Sequence, residues 1–401
     1  MCHKVRQNLI RQQITNSLYY LVAVCAMLTC TTYFLLENGS GNSFPTYLLG
    51  LGTIPLITLQ FRTLQFDRVL AGLAALFLGY MTLSVLWSSN NEPVVKTLTE
   101  ALLVLTFCLA IPASIERFHW FLNALVVLVI LSAVVNSGYS IYLHYALPDY
   151  QPLPEPRLYA LGRLSNPVIG ALSYGFATVL AAYMFLNETR RLARAGYLAA
   201  TLLFLFAIVL TGSRGAYLAL AAAMSVGVLL QYPGNRKLQV TGVAGTLLAL
   251  SAGAYFFLGP EALFSRALSF RPEIWSEFIS RTITSNVWVG MGMTTDSEFQ
   301  LPELLIQHPH SAFIATFYYG GLIGLALYLG LVLRAIQSLG GMGQHNVRLL
   351  GSMLLAFGLT ATALDGNELI SKVNYLWFLV WLPVGLAMIG AKREFSGSTT
   401  T

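Results

Sequence analysis

Charge is scarce in this 401-residue chain: Asp, Glu, Lys and Arg make up 10% of it, where a soluble domain carries about a quarter. That scarcity excludes an ordinary soluble domain. With 56% hydrophobic residues, the chain reads as an all-α integral membrane protein that crosses the bilayer many times. Cysteine is rare too, four residues in all. Cys2 lies in a basic N-terminal tail, and Cys25, Cys30 and Cys108 fall inside apolar runs. None has metal-ligand spacing, and no disulfide is expected. Carboxylates close together are equally scarce. Asp296-Ser297-Glu298 has no obvious third ligand, so no metal site is expected. Internal repeats, low-complexity linkers and a signal cleavage site are missing, and the first apolar run is too long for a signal core.

What the chain does have is long apolar runs. A helix needs about 20 such residues to cross a bilayer. Twelve runs qualify, at 17–37, 44–60, 69–87, 94–113, 119–145, 166–186, 196–212, 214–232, 238–258, 312–333, 348–364 and 373–390. The net charge of +6 is read by location and not as a sign of nucleic acid. Placing the N-terminus in the cytoplasm puts 15 of the 23 Lys and Arg residues on that side and 8 outside, so both termini are expected in the cytoplasm.

The outer minority is concentrated. Arg157 and Arg163 lie in a loop over 146–167 that is rich in proline (Pro148, Pro152, Pro154, Pro156). Arg266, Arg271 and Arg281 lie in a large, partly helical loop over 259–311. Within it, Glu273 to Ile279 reads as an amphipathic helix with Pro272 in its first turn. Lys96 and Glu100, four apart on one helix face, read as a local ion pair. The tail 396–401 is expected to be disordered.

Arg214 interrupts two apolar runs in Thr211-Gly212-Ser213-Arg214-Gly215. A charge in a membrane segment is costly and points to function, although an arginine also snorkels to the interface. The flanking glycines let a ligand approach the backbone, and a following helix N-terminus offers N–H groups to an anion. His310 precedes Ser311, a good N-cap for the next apolar helix. It serves either to finish that helix end or as a base near neutral pH. Arg271, Arg281, Arg163 and Arg157 are candidate phosphate clamps, since a guanidinium binds phosphate through two N–H groups. The alternative for each is a surface charge facing headgroup phosphates, the favoured reading for Arg157 and Arg266. His308 is a weaker candidate, held relative to His310 by Pro309.

On these residues the sequence resembles the bacterial O-antigen ligases, within the wider group that includes O-antigen polymerases and protein O-oligosaccharyltransferases. One family pattern is met by His310-Ser311, nine residues, Gly321 and then Gly324. A second, arginine followed four residues later by leucine, is met by Arg214 and Leu218. The order of an outer Ser-Arg-Gly corner, two further helices and a large loop closed by a histidine is similar as well.

The resemblance implies transfer of O-antigen polysaccharide from undecaprenyl pyrophosphate to a sugar hydroxyl of lipid A–core. The reaction would run with inversion, without metal, nucleotide or other cofactor, at the periplasmic face of the bacterial inner membrane. In that reading His310, Arg214 and Arg271 are catalytic. Arg163, Arg281, Ser213, Gly215 and His308 bind substrate. The partners are the lipid-linked donor, the lipid A–core acceptor and the bilayer. An O-antigen polymerase, a protein O-oligosaccharyltransferase and a lipid-linked glycan transporter are the rival readings.

Overall fold

A run of helices passes back and forth between two ends of a single bundle. The computed structural model describes residues 2–37, 39–90, 92–147, 157–245, 248, 270–301 and 304–389. Eight helices come first: α1 (Cys2–Leu35), α2 (Gly39–Gln60), α3 (Arg68–Leu83), α4 (Val94–Arg117), α5 (Phe121–Ala146), α6 (Pro167–Asn187), α7 (Arg191–Thr211) and α8 (Arg214–Gln231). After them come α9 (Arg271–Asn286), a hairpin of β1 (Phe299–Leu301) and β2 (Leu304–Ile306), then α10 (Ala312–Gly340) and α11 (His345–Leu364). A π-helical turn, Trp377–Trp381, leads into α12 (Leu382–Ala387).

Among the described residues, nine helices are long and apolar enough to cross a membrane, so this is a multi-pass membrane protein. The twelve expected runs do not all return as such helices. The run at 44–60 is the helix α2, with Pro45 and Pro55 inside it. The run at 238–258 lies mostly outside the described residues, as do Pro148, Pro152, Pro154, Pro156, Arg266 and the tail 396–401. The run at 373–390 is a shorter helix than expected. Its apolar residues meet protein instead of lipid, and every residue from 376 to 389 is buried. Trp377 packs on Phe107 at 5.1 Å between ring centres, and Phe378 on Tyr33 at 4.7 Å. With lipid as apolar as these side chains, such close packing is what holds the centre together.

Contacts between loops identify the two ends. At one, Arg117 donates to Asn16, and Arg334 Nη2 meets the buried Asp67 Oδ2 at 2.6 Å while Asp67 also caps α3. The other end gathers the loop at 157–166, the Gly212 corner, α9 and its hairpin, and residues 365–374. There Arg157 Nε donates to Thr211 O at 2.7 Å, and Gly292 lies against Ser84 and Ser88.

α10 is two helices joined at a break. Gly321 has φ 62° and ψ −161°, which only glycine adopts at little cost. Residues 287–292 fill the gap and take over its hydrogen bonds. Met291 N donates to Tyr318 O at 2.8 Å, Gly292 N to Tyr319 O at 2.9 Å, and Leu322 N to Val287 O at 2.9 Å. The large loop is thereby dovetailed into a membrane helix, which fixes where α9 ends.

Candidate functional site

Three helix termini meet at the loop-bearing end. The C-terminus of α11 delivers Asp365, whose N–H still bonds to Ala361 O. The approach to α10 delivers His310, and the first residue of α9 is Arg271. His310 Nδ1 stands 3.3 Å from Asp365 Oδ1, and Arg271 Nη2 stands 3.8 Å from Asp365 Oδ2. The Asp365 side chain is 15% exposed against 31% for Arg271 and 32% for His310, so the carboxylate is the floor and the guanidinium and imidazole lie nearer the surface.

His310 is held at φ 53°, the one left-handed non-glycine residue among those described. That conformation is uncommon outside glycine, asparagine and aspartate. Ser311 does stand at the N-cap of α10, but its side chain makes no capping bond, contrary to expectation. Gly366 closes this region. A Cβ there would lie 3.0 Å from Ala312 N, so Asp365 is pressed against the start of α10.

His308 contacts His310 edge to face, with ring centres 4.0 Å apart. Burial, helped by the neighbouring His310 and opposed by Asp365, pushes its pKa down to about 4. It is therefore neutral at ordinary pH and a weaker base than an ordinary imidazole.

The Arg214 corner lies at the same end. Gly212 ends α7 with φ 64°, the buried Ser213 takes the N-cap position, and Arg214 opens α8. A Cβ on Gly215 would lie 3.9 Å from Leu364 Cβ. Leu364 directly precedes Asp365, so Ser213, Arg214 and Gly215 pack beside the end of α11 that carries the carboxylate.

The remaining sequence candidates are placed differently. Arg163, in a short 3-10 turn just ahead of Asn166, the N-cap of α6, lies over the Tyr33 ring at 5.9 Å. Tyr375 is within electrostatic reach of Tyr33, Asp365 and Glu368. Arg281 is further away, about 15 Å along α9 from Arg271 at 1.5 Å per residue. Its Nε pairs with Glu277 Oε1 at 2.8 Å, and its guanidinium covers Phe299 at 5.0 Å. Lys96 pairs at 2.7 Å with Glu92, four residues before it, and not with Glu100 as expected. The glutamate-first order is the better one on a helix.

Residues 199–329 match the model of the family described as O-antigen ligase. Over 318 residues the chain is 31% identical to an O-antigen ligase of Pseudomonas aeruginosa, covering 77% of this chain and 75% of that relative. The chain belongs to the O-antigen ligase family. The family match includes Arg214, Arg271, Arg281, His308 and His310 and stops short of Asp365.

Sequence reading missed Asp365 in this O-antigen ligase family member. The one signal available was position: an acid directly after an apolar run, in Asp365-Gly366-Asn367-Glu368, at the end where Arg214 and His310 were expected. The assembled group has a definite chemistry. If Nδ1–H donates to Asp365, the lone pair of His310 is on Nε2, the nitrogen that faces away from the carboxylate. An imidazolium formed there would be stabilised by Asp365. Arg271 is held loosely enough to turn further N–H groups to an anion.

Proposed function

We propose that this protein ligates O-antigen polysaccharide from undecaprenyl pyrophosphate onto a sugar hydroxyl of lipid A–core, at the periplasmic face of the inner membrane. The observation that carries the reading is the meeting of His310, Asp365 and Arg271 beside the Arg214 corner, in a member of the O-antigen ligase family. His310 Nε2 takes the proton of the acceptor hydroxyl as its oxygen bonds to the anomeric carbon of the donor sugar. The bond from that carbon to the pyrophosphate oxygen breaks, and the pyrophosphate leaves with the electron pair. Its developing charge meets Arg271 and Arg214, with the α8 N-terminus adding N–H groups. Attack opposite the leaving group inverts the anomeric centre. Asp365 stabilises the imidazolium until the proton passes to solvent.

Both substrates are lipid-anchored, and the surroundings suit that. An open apolar groove of about 630 Å³ between α8, α10 and α11 includes Leu218, Phe313, Leu359 and Leu364 in its walls. It starts beside Asp365 and is a natural track for the polyprenyl chain. Arg163 and Arg281 lie where they would meet donor or acceptor only at the margins of this site.

The test is reconstitution. Purified protein in vesicles receives lipid-linked O-antigen and lipid A–core, and mass spectrometry looks for the glycan on the core. Transfer onto a second carrier-linked glycan would instead mean a polymerase. Glycan moved across the bilayer with no new glycosidic bond would mean a transporter.

A further inference from the structure

The base and the arginines account for the proton and the leaving group; the sugar to be glycosylated still needs a binding surface. Residues 365–374 form a shelf next to the base. They are non-helical yet firmly held. Trp381 Nε1 donates to Leu369 O at 2.9 Å and Trp377 Nε1 to Ser371 O at 3.1 Å, both from the buried centre of the bundle. Asn374 Nδ2 donates to Ser371 Oγ at 2.8 Å, and Gly366 is packed on the start of α10.

Two polar atoms on this rigid shelf are sealed from solvent and meet no hydrogen-bond partner among the described residues: Asn367 Oδ1 and Glu368 Oε2. His308 Nδ1 is in the same condition. They belong to one neighbourhood. Glu368 is within electrostatic reach of Tyr319, and Ser297 influences the same hydroxyl. Ser297 Oγ in turn donates to the carbonyl of Gln307, the neighbour of His308, at 2.6 Å. Buried polar groups are normally paired, and of the eleven unpaired side-chain atoms among the described residues three gather around this shelf, where a polar ligand would satisfy them. Glu368 is three residues past Asp365, at most about 11 Å along the chain and within reach of a short oligosaccharide.

We propose that Asn367 and Glu368, with His308 at the edge, form the acceptor-sugar subsite, holding hydroxyls of the glycan that offers another hydroxyl to His310. This rests on the ligase reading above. The chemistry favours sugar hydroxyls over phosphate. Burial raises the pKa of Glu368; a hydrogen bond from its own backbone opposes this, the charge of Glu100 adds to it, and Lys96 opposes it. Whichever its charge, the carboxyl accepts hydrogen bonds from hydroxyls, and the amide of Asn367 both donates and accepts.

The experiment is steady-state ligation by the full chain in vesicles, varying donor and lipid A–core separately, for wild type, Glu368→Leu, Glu368→Gln and Asn367→Ala. Glu368→Leu is expected to raise the acceptor KM about tenfold or more, a loss of about 1.4 kcal/mol of binding. Donor KM and kcat at saturating acceptor should stay within about threefold, and Glu368→Gln should restore most of the acceptor KM. An unchanged acceptor KM, or equal losses toward both substrates, overturns the subsite while the ligase reading stands. If Glu368→Leu is not recovered folded, Asn367→Ala decides by the same split. If wild type forms no glycosidic bond, the parent reading fails and the subsite with it.

Discussion

His310 Nδ1 and Asp365 Oδ1 stand 3.3 Å apart across 55 residues of sequence. In the proposed mechanism the contact gives Asp365 two duties: it orients the imidazole and faces the charge that forms on it during proton transfer. Asp365→Asn keeps an oxygen to accept from Nδ1–H and removes the charge. It is expected to lower kcat about 100-fold, within the range for general-base catalysis, and to change donor KM little. Alanine should cost more, because orientation goes as well. A near-normal kcat for Asp365→Asn would remove the dyad from the mechanism.

The left-handed backbone of His310 separates stability from activity. A side chain there costs roughly 1 kcal/mol, less for asparagine and nothing for glycine. His310→Asn and His310→Gly should therefore unfold at or above the wild-type temperature while losing ligation by about 100-fold or more. Thermal unfolding in detergent alongside the ligation assay checks both. A marked drop in melting temperature for both variants would mean that His310 is a structural residue.

The arginines should respond unequally to lysine. Arg271 faces the floor carboxylate and Arg214 stands at the corner beside Leu364, and in the proposed mechanism each forked guanidinium would meet the pyrophosphate through two N–H groups. Arg271→Lys and Arg214→Lys are expected to cut kcat/KM for donor by about 10- to 100-fold. Arg281 is occupied by Glu277 and Phe299, so Arg281→Lys should cost less than about threefold in activity. Equal losses at all three positions would argue that Arg281 also handles the donor.

Much of this architecture is legible in the sequence because a membrane forces long apolar runs, and every helix from α1 to α8 lies on one. The Arg214 corner stands out since a lone charge between two such runs has few bland explanations. Asp365 does not stand out. An acid after a helix reads as a solvated turn, and its meaning comes from contacts with His310 and Arg271, both distant in sequence. The spacing of Gly321 and Gly324 after His310 was visible, but not that Gly321 breaks α10 to admit residues 287–292. Hydrogen bonds taken over by a distant loop leave no periodic trace. Arg281 had its helical neighbour Glu277 four residues before it, and a charge paired within its own helix is less available to phosphate than the loop position alone suggests.

His308 predicts a pH effect with a definite sign. Its folded pKa of about 4 lies below the unfolded value near 6.5. The unfolded chain therefore binds more protons between those values. Stability from this group is fully present above about pH 6.5 and is lost as pH falls toward 4, on the order of 1–3 kcal/mol in all. His308→Gln should flatten the fall in melting temperature between about pH 6.5 and 4. If the variant shows the same slope as wild type, His308 is not the group responsible.

The dovetail at Gly321 makes the sharpest prediction about the fold. Gly290 has φ 70°, and a Cβ there would strike Gly321 N and lie 2.7 Å from Gly320 N and Tyr318 O. All of these are backbone atoms, which cannot swing aside as the tip of a side chain can. Gly290→Ala should thus carry both left-handed strain and overlap, together about 2–4 kcal/mol. The residues it displaces lead directly back to α9, so Arg271 should lose its place and ligation should fall with stability. Gly330 lies inside α10 with nothing within 4 Å of a built Cβ. Gly330→Ala should raise stability by about 0.5–1 kcal/mol through helix propensity. Melting temperatures and ligation rates of the two variants test the pair together. A Gly290→Ala protein as stable and active as wild type would show that residues 287–292 do not occupy the break in α10.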